Sequence, residues 1–211
     1  MIFMPEKLKP VDTEGWEPRT VIGKKVKAGE ITTLEEVRKI GKPILEPEII
    51  DVLLPDLEAE TLQVKTTQRV TDSGKRVKFR VVKVIGDRKG HVGLGVGKSD
   101  ELKPAMDYAI KNAKKNMISV PVGCGSWECR CPLKHSLSIK TSGMEGSTVV
   151  NLMPAPRGLG LAGNDVVKHV LALAGIKDVW STAVGGKNVY NMASATTKAL
   201  DNLNAFKRGA E

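Results

Sequence analysis

The sequence predicts an α+β fold in two parts: a domain of one helix, three strands and a second helix, then a second small two-layer α/β domain. Three observations carry that expectation. Period-two strand patterning fills residues 62–98, apolar residues at three-and-four spacing run from Met106 to Met117, and after Val120 a Cys- and Gly-rich segment opens a fresh series of strands and helices. A chain of 211 residues has room for two such domains.

Residues 1–30 carry scattered Pro, Gly and Lys with weak periodicity and are expected to form an extended arm. A first helix is expected from Thr33, because Thr33-Leu34-Glu35-Glu36 fits a capping box in which hydroxyl and carboxylate satisfy orphan amides reciprocally; Gly41 and Pro43 stop it. A short helix or turn covers Pro47 to Leu54. Strands are expected over Leu62 to Arg69, Val77 to Ile85 and His91 to Lys98, with turns at Thr71-Asp72-Ser73-Gly74 and Gly86 to Gly90. A helix follows from Asp100 to about Ser119, with Ser99 as its N-cap. Helix, three strands, helix is the order of a double-stranded-RNA-binding-type domain.

In the second part, strands are expected over Ser136 to Thr141, Ser147 to Met153 and Val179 to Thr182. Helices are expected from Asn164 to Ala174, closed by Gly175, and from about Asn191 to Phe206. The expected division is an arm with a short helix at 1–45, the first domain at 46–119, the second at 120–206, and a tail at 207–211.

The formal net charge is +9, which favours a polyanionic partner. The charge is also segregated. Every ionisable residue from Glu46 to Glu60 is acidic, whereas Lys65 to Lys89 holds nine cations against Asp72 and Asp87. Such a basic block is stronger evidence for nucleic acid than net charge is. No apolar run approaches a membrane span, the start lacks the shape of a secretory signal, and three clustered cysteines do not make a disulfide framework. A cytoplasmic protein without a membrane partner is expected.

Four motifs bear on chemistry. Val92-Gly93-Leu94-Gly95-Val96-Gly97 alternates apolar residues with bare backbone, so either RNA or an abutting helix must come close to that face. Gly97-Lys98-Ser99 is no phosphate loop, because Val92 stands where the first glycine is needed. Gly158-Leu159-Gly160-Leu161-Ala162-Gly163 matches a dinucleotide fingerprint, with Asp178 about twenty residues on, and supplies the rival function of a nucleotide-dependent oxidoreductase. Pro154, Pro156 and Arg157 argue against it. The same turn, with Arg157, Gly158 and Lys168, is better suited to an RNA phosphate at a helix N-terminus.

The fourth motif is Cys124, Cys129, Cys131 and His135, a set of ligands of the kind that holds structural zinc, although the spacing lacks paired CxxC knuckles. Zinc and three free or buried thiols stay open as alternatives, and no other motif requires a cofactor. No catalytic residue is assigned. The expected RNA footprint is the basic pair of turns: Arg69, Lys75, Arg76 and Lys78 at one, Arg88 and Lys89 at the other, projecting cations together toward phosphates.

Those residues also resemble a known family. Arg69-Val70-Thr71, Lys78 to Val82, Val84 to Asp87, Gly90 to Lys98, Ala113 to Ile118 and Pro154-Ala155-Pro156-Arg157-Gly158 are similar, in order, to the universal S-five family of small-subunit ribosomal proteins, over roughly residues 60–205. The stretches Glu46 to Leu54 and Cys124 to Cys131 resemble its archaeal branch. The resemblance implies a structural constituent of the small subunit that binds its ribosomal RNA, supports assembly and translational accuracy, and performs no catalysis. It further implies neighbours of the S-four and S-eight ribosomal families, contact of the first hairpin turn, Asp72, Ser73, Gly74, Lys75 and Arg76, with a ribosomal RNA junction, and RNA rather than a helix against Gly93 and Gly95.

Overall fold

The structure, a computed structural model, describes residues 6–8, 16–129, 131 and 133–208. Of the expected N-terminal arm, residues 1–5 and 9–15 lie outside that set, as do 209–211 of the expected tail. Packing divides the chain into two units, Met1–Ile85 with Gly95–Met117, and Gly86–Leu94 with Ile118–Glu211.

The first unit begins with β1 (Glu6–Lys7) and three short helices, α1 (Val21–Lys27), α2 (Leu34–Lys39) and α3 (Glu48–Leu53). α1 corrects the expected extended arm. Its N-cap Thr20 accepts a hydrogen bond from the Gly23 amide (3.1 Å), and Glu46 Oε1 accepts the amides of Arg19 (2.9 Å) and Thr20 (2.7 Å). An acid from the expected acidic block thus sits on the positive end of a helix. α2 starts with the expected capping box, Thr33 with Glu36. Ile22, Val26, Leu34, Val37, Ile49 and Ile50 from these helices bury together with Leu57, Ala59, Ile85, Ala113 and Met117 in one core.

The strands are β2 (Glu58–Thr71), β3 (Gly74–Gly86) and β4 (His91–Ser99), followed by α4 (Leu102–Lys115) and β5 (Met117–Ser119), in one sheet ordered β1-β2-β3-β4-β5. Three expectations change. α4 has Glu101 as N-cap, with no side-chain capping bond, so Ser99 does not cap it. The helix stops at Lys115, and Met117 to Ser119, expected as its last turn, is a strand. The end of β3 is buried on both faces from Val81 to Gly86, so its alternation of sides does not separate core from solvent there.

The glycine strand has a definite neighbour. A Cβ on Gly95 would lie 2.0 Å from the Ala109 carbonyl oxygen, and one on Gly97 would lie 1.9 Å from that of Ala105. Ala105, Ala109 and Ala113, spaced by four on α4, are fully buried. Bare strand therefore meets a small-residue helix stripe, and the abutting helix wins over RNA at Gly95. Gly93 is buried as well. Both glycines leave the RNA-contact set, because no phosphate reaches a main chain covered by protein.

The second unit holds β6 (Val122–Gly123), β7 (Ser136–Leu137), β8 (Thr141–Glu145), β9 (Thr148–Pro154), β10 (Leu161–Ala162), α5 (Asp165–Leu173), β11 (Val179–Val184) and α6 (Val189–Arg208). The expected strand Ser136 to Thr141 is thus two pieces belonging to different sheets. β6 pairs with β7, and β10-β11-β9-β8 form a mixed sheet in which only β10 and β11 run parallel. α6 lies over β8 and β9, with α5 beside it. Here too a strand glycine admits a helix: a Cβ on Gly143 would lie 2.1 Å from the Ala195 carbonyl oxygen. α5 begins at its expected cap, Asn164, which accepts the Val166 amide at 3.0 Å, and ends at Gly175 with φ +81°. α6 runs on to Arg208, into the expected tail. No described helix is long and apolar enough to cross a membrane.

Candidate nucleic-acid interface and cysteine–histidine centre

The β2–β3 hairpin outruns its own domain. Residues 65–78 are exposed on both strands, so this stretch is a two-stranded ribbon with no core beneath it. At about 3.3 Å per residue, its β2 half reaches roughly 23 Å. The ribbon carries Lys65, Arg69, Lys75, Arg76 and Lys78 against the single acid Asp72. Its turn is closed by Gly74 at φ +128° and by the Thr71 hydroxyl, which donates to the Gly74 carbonyl at 2.9 Å. Lys78 makes one weak, exposed ion pair with Asp100 at 3.7 Å. An isolated two-stranded ribbon is marginal in water, so a surface of this composition is suited to lie against something acidic.

Arg88 and Lys89 belong to a different turn. They lie on the turn that follows β3, in the second unit. Arg88 is held at φ 55° and its amide donates to the Leu173 carbonyl at 2.9 Å. Asp87 organises this turn: Oδ1 accepts the amides of Lys89 (2.7 Å) and His91 (3.0 Å), and Oδ2 lies 2.6 Å from His91 Nδ1.

Burial pushes the Asp87 carboxyl up, but the bonds from the His91 ring and from those two amides outweigh it and leave the group below its ordinary 3.8. A depressed acid contributes stability that is present above its unfolded value and is lost as pH falls through the folded one. Asp87→Asn is therefore expected to flatten the acid limb of the stability curve below about pH 4. Urea midpoints at a series of acid pH values measure it, and a variant as acid-sensitive as wild type contradicts it.

The Gly158-to-Gly163 turn is not what its spacing suggests. Asp178 Oδ1 accepts the amides of Gly158 (3.1 Å) and Gly160 (2.8 Å), so the protein's own carboxylate occupies the place expected for a phosphate. Leu161 and Ala162 form β10, and the helix starts only at Asp165, which removes the strand-to-helix turn that a dinucleotide needs. The oxidoreductase reading falls on both counts. Gly158 loses the expected role of offering its amide to RNA; Arg157 stays exposed on the same turn, and Lys168 lies on α5 beside Asp165 (3.4 Å).

The cysteines gather as the sequence suggests. β6 and β7 pair Val122 with Leu137 and Gly123 with Ser136, which brings the two ends of the 124–135 loop together. The His135 amide donates to the Gly123 carbonyl (3.2 Å), and the His135 carbonyl accepts the amides of Lys177 (3.0 Å) and Asp178 (3.1 Å). The ligand atoms of Cys124, Cys129, Cys131 and His135 all lie within 4.8 Å of one another. Sγ of Cys131 is 2.9 Å from that of Cys129 and 3.6 Å from that of Cys124, and His135 Nε2 is 3.1 and 3.7 Å from Cys131 and Cys129.

Sequence reasoning missed the residue behind this cluster, Asp178. It is 4% exposed, and its Oδ2 lies 2.8 Å from His135 Nδ1. A carboxylate only accepts, so Nδ1 carries the proton and Nε2 turns its lone pair to the sulfurs. Cys129 is lowered from 9.0 to about 6, first by its hydrogen bond with Cys131 and then by the Arg157 main chain, while Cys131 is raised, first by Cys129 and then by burial.

Taken with the fold, these features define a class: an α+β scaffold protein with an exposed cationic ribbon. Comparison with known proteins gives the family. Ribosomal protein S5, N-terminal domain, matches residues 57–121, and Ribosomal protein S5, C-terminal domain, matches residues 143–211. The small ribosomal subunit protein uS5 of Methanocaldococcus jannaschii is 52% identical over 197 residues, 93% of this chain and 90% of its own length. That of Haloarcula marismortui is 49% identical over 189 residues, 89% of each chain, and that of Methanoregula boonei is 47% identical over 195 residues, 92% of this chain and 95% of its own. The chain belongs to the ribosomal protein S5 family, whose members are structural ribosomal proteins and not enzymes.

Proposed function

We propose that the protein is a structural constituent of the small ribosomal subunit and grips its ribosomal RNA through the β2–β3 ribbon, with Arg69, Lys75, Arg76 and Lys78 on phosphates and Ser73 and Gly74 at the tip. One observation carries the reading: residues 65–78 expose five cations and one acid on strands that pack on no core. Phosphate contacts of this kind set position and affinity rather than read bases. Arg88 and Lys89, and Arg157 with Lys168, supply further phosphate contacts. Neighbours of the S-four and S-eight ribosomal families complete the setting, and the whole supports subunit assembly and accurate decoding.

Replacing Lys75→Glu with Arg76→Glu is expected to weaken incorporation into small subunits far more than the same reversal at Lys207 and Arg208. It should also lower the salt dependence of binding to small-subunit RNA by about two contacts' worth, a change of roughly 2 in the slope of log affinity against log salt. Equal incorporation of both variants in a sucrose gradient would remove the ribbon as the footprint. Cross-linking within intact subunits tests the neighbours: adducts with proteins other than those two families would replace them.

A further inference from the structure

We propose that Cys124, Cys129, Cys131 and His135 bind one zinc ion, and that Asp178 is the positioning residue that orients this site and fastens it to the Pro156–Gly160 turn. All five residues lie within the second unit.

A tetrahedral zinc with three thiolates and one imidazole has ligand edges of about 3.8 Å between sulfurs and about 3.5 Å between sulfur and nitrogen, from bond lengths near 2.3 and 2.0 Å. Two of the observed separations, 3.6 Å for Cys124 to Cys131 and 3.7 Å for Cys129 to His135 Nε2, already match such edges. The other two, 2.9 and 3.1 Å, need to open by less than about 1 Å. A disulfide does not explain the set. Cys129 and Cys131 are separated by well more than the roughly 2.05 Å of an S–S bond, the third thiol would be left over, and His135 would aim its lone pair at nothing. Soft thiolates with one imidazole select zinc over hard cations, and four protein ligands leave no open position, which makes the site structural rather than catalytic.

The second observation is the carboxylate behind the histidine. Asp178 Oδ2 accepts the hydrogen bond from His135 Nδ1–H, the arrangement that fixes a metal-binding imidazole in both tautomer and direction. Its other oxygen holds the amides of Gly158 and Gly160. One buried side chain thus divides its two oxygens between a metal ligand and the turn that carries Arg157. Loss of the ion frees the ring, the ring releases the carboxylate, and the turn loses its anchor.

The full-length chain, purified without chelator, is expected to carry one zinc by elemental analysis. Cobalt(II) titrated into the chelator-treated chain should give thiolate-to-metal charge transfer and the intense visible bands of a tetrahedral site, and Cys131→Ser should weaken both. Asp178→Asn should keep that spectrum but lose about 10–100-fold in affinity. Amide hydrogen exchange at Gly158 and Gly160 should quicken both in that variant and in wild type stripped of metal, while the β9–β11 pairs from Val179–Pro154 to Val184–Val149 keep their protection. Absence of zinc together with a featureless cobalt titration overturns the site. Stoichiometric iron in its place overturns the choice of metal, and unchanged affinity in Asp178→Asn overturns the positioning role. Exchange at the two glycines that ignores metal removal in the wild-type chain overturns the fastening, whatever the variants do.

Discussion

Gly97→Val is expected to destabilise the first unit severely, by about 3 kcal/mol or more, although valine is the better strand former. The new side chain would start 1.9 Å from the Ala105 carbonyl oxygen and 2.6 Å from the Ala109 amide nitrogen. Both are main-chain atoms of α4, so no rotamer change relieves the clash; the helix has to retreat by more than about 1 Å. Retreat uncovers Val81, Ala105 and Ala109, which are fully buried in one small cluster with Val64, Phe79 and Met106 against them. A chain of this size should then melt roughly 6–12 °C lower. A thermal midpoint equal to that of wild type would mean that the helix is not seated on the bare strand.

Removing Lys114 should cost more. Its ammonium is 2.6 Å from Asp51 Oδ1, and both side chains are only 7% exposed. Lys114→Met leaves the Asp51 charge buried without its counter-ion, a loss of about 3–5 kcal/mol at neutral pH. Burial already raises the Asp51 carboxyl, with Lys114 opposing that rise. A raised acid contributes stability below its unfolded value and loses it as pH climbs through the folded one, so the variant's deficit should shrink as pH falls toward 3.8. Adding Asp51→Leu should restore most of the stability, because a well-packed apolar pair replaces a buried ionic one at little cost. Urea unfolding of the two single variants and the double variant gives the coupling directly, and additive losses would contradict the pairing.

Lys114 also shows where sequence reasoning stops. Its spacing on α4 sets it off the apolar stripe, which reads as solvent, and the partner that buries it lies 63 residues earlier. The acidic block was visible, but its uses, Glu46 on an α1 amide cap and Asp51 under α4, depend on contacts that no local pattern encodes. α1 was missed for a different reason: it has only seven residues, and Gly23 interrupts it because a Cβ there would meet Glu46 and Pro18 at 2.8 Å. β5 reads in sequence as the end of α4, because Met117 satisfies the helical period as well as the strand one. What was legible was local or chemical: the capping box at Thr33, the strand periodicities, the Asn164 cap and the three thiols and one imidazole between Cys124 and His135. The glycines of β4 announced a close approach without naming the visitor, and Asp178 showed only as an acid at a suggestive distance from a glycine turn. Its true partners are fixed by the way β7, β10 and β11 come together.

The coreless ribbon has a consequence for the chain before it meets its site. Among the described residues, β1 covers β2 only at Glu58 and Ala59, so the long outer margin of the hairpin is open to any other extended polypeptide. Newly made molecules stacking margin to margin would form clumps. Like-charged side chains along that margin discourage such self-association, and they do so best in dilute salt, where screening is weakest. The residues suited to holding RNA would therefore also keep the unassembled chain soluble, and trading them for neutral ones should leave a protein that precipitates while it waits.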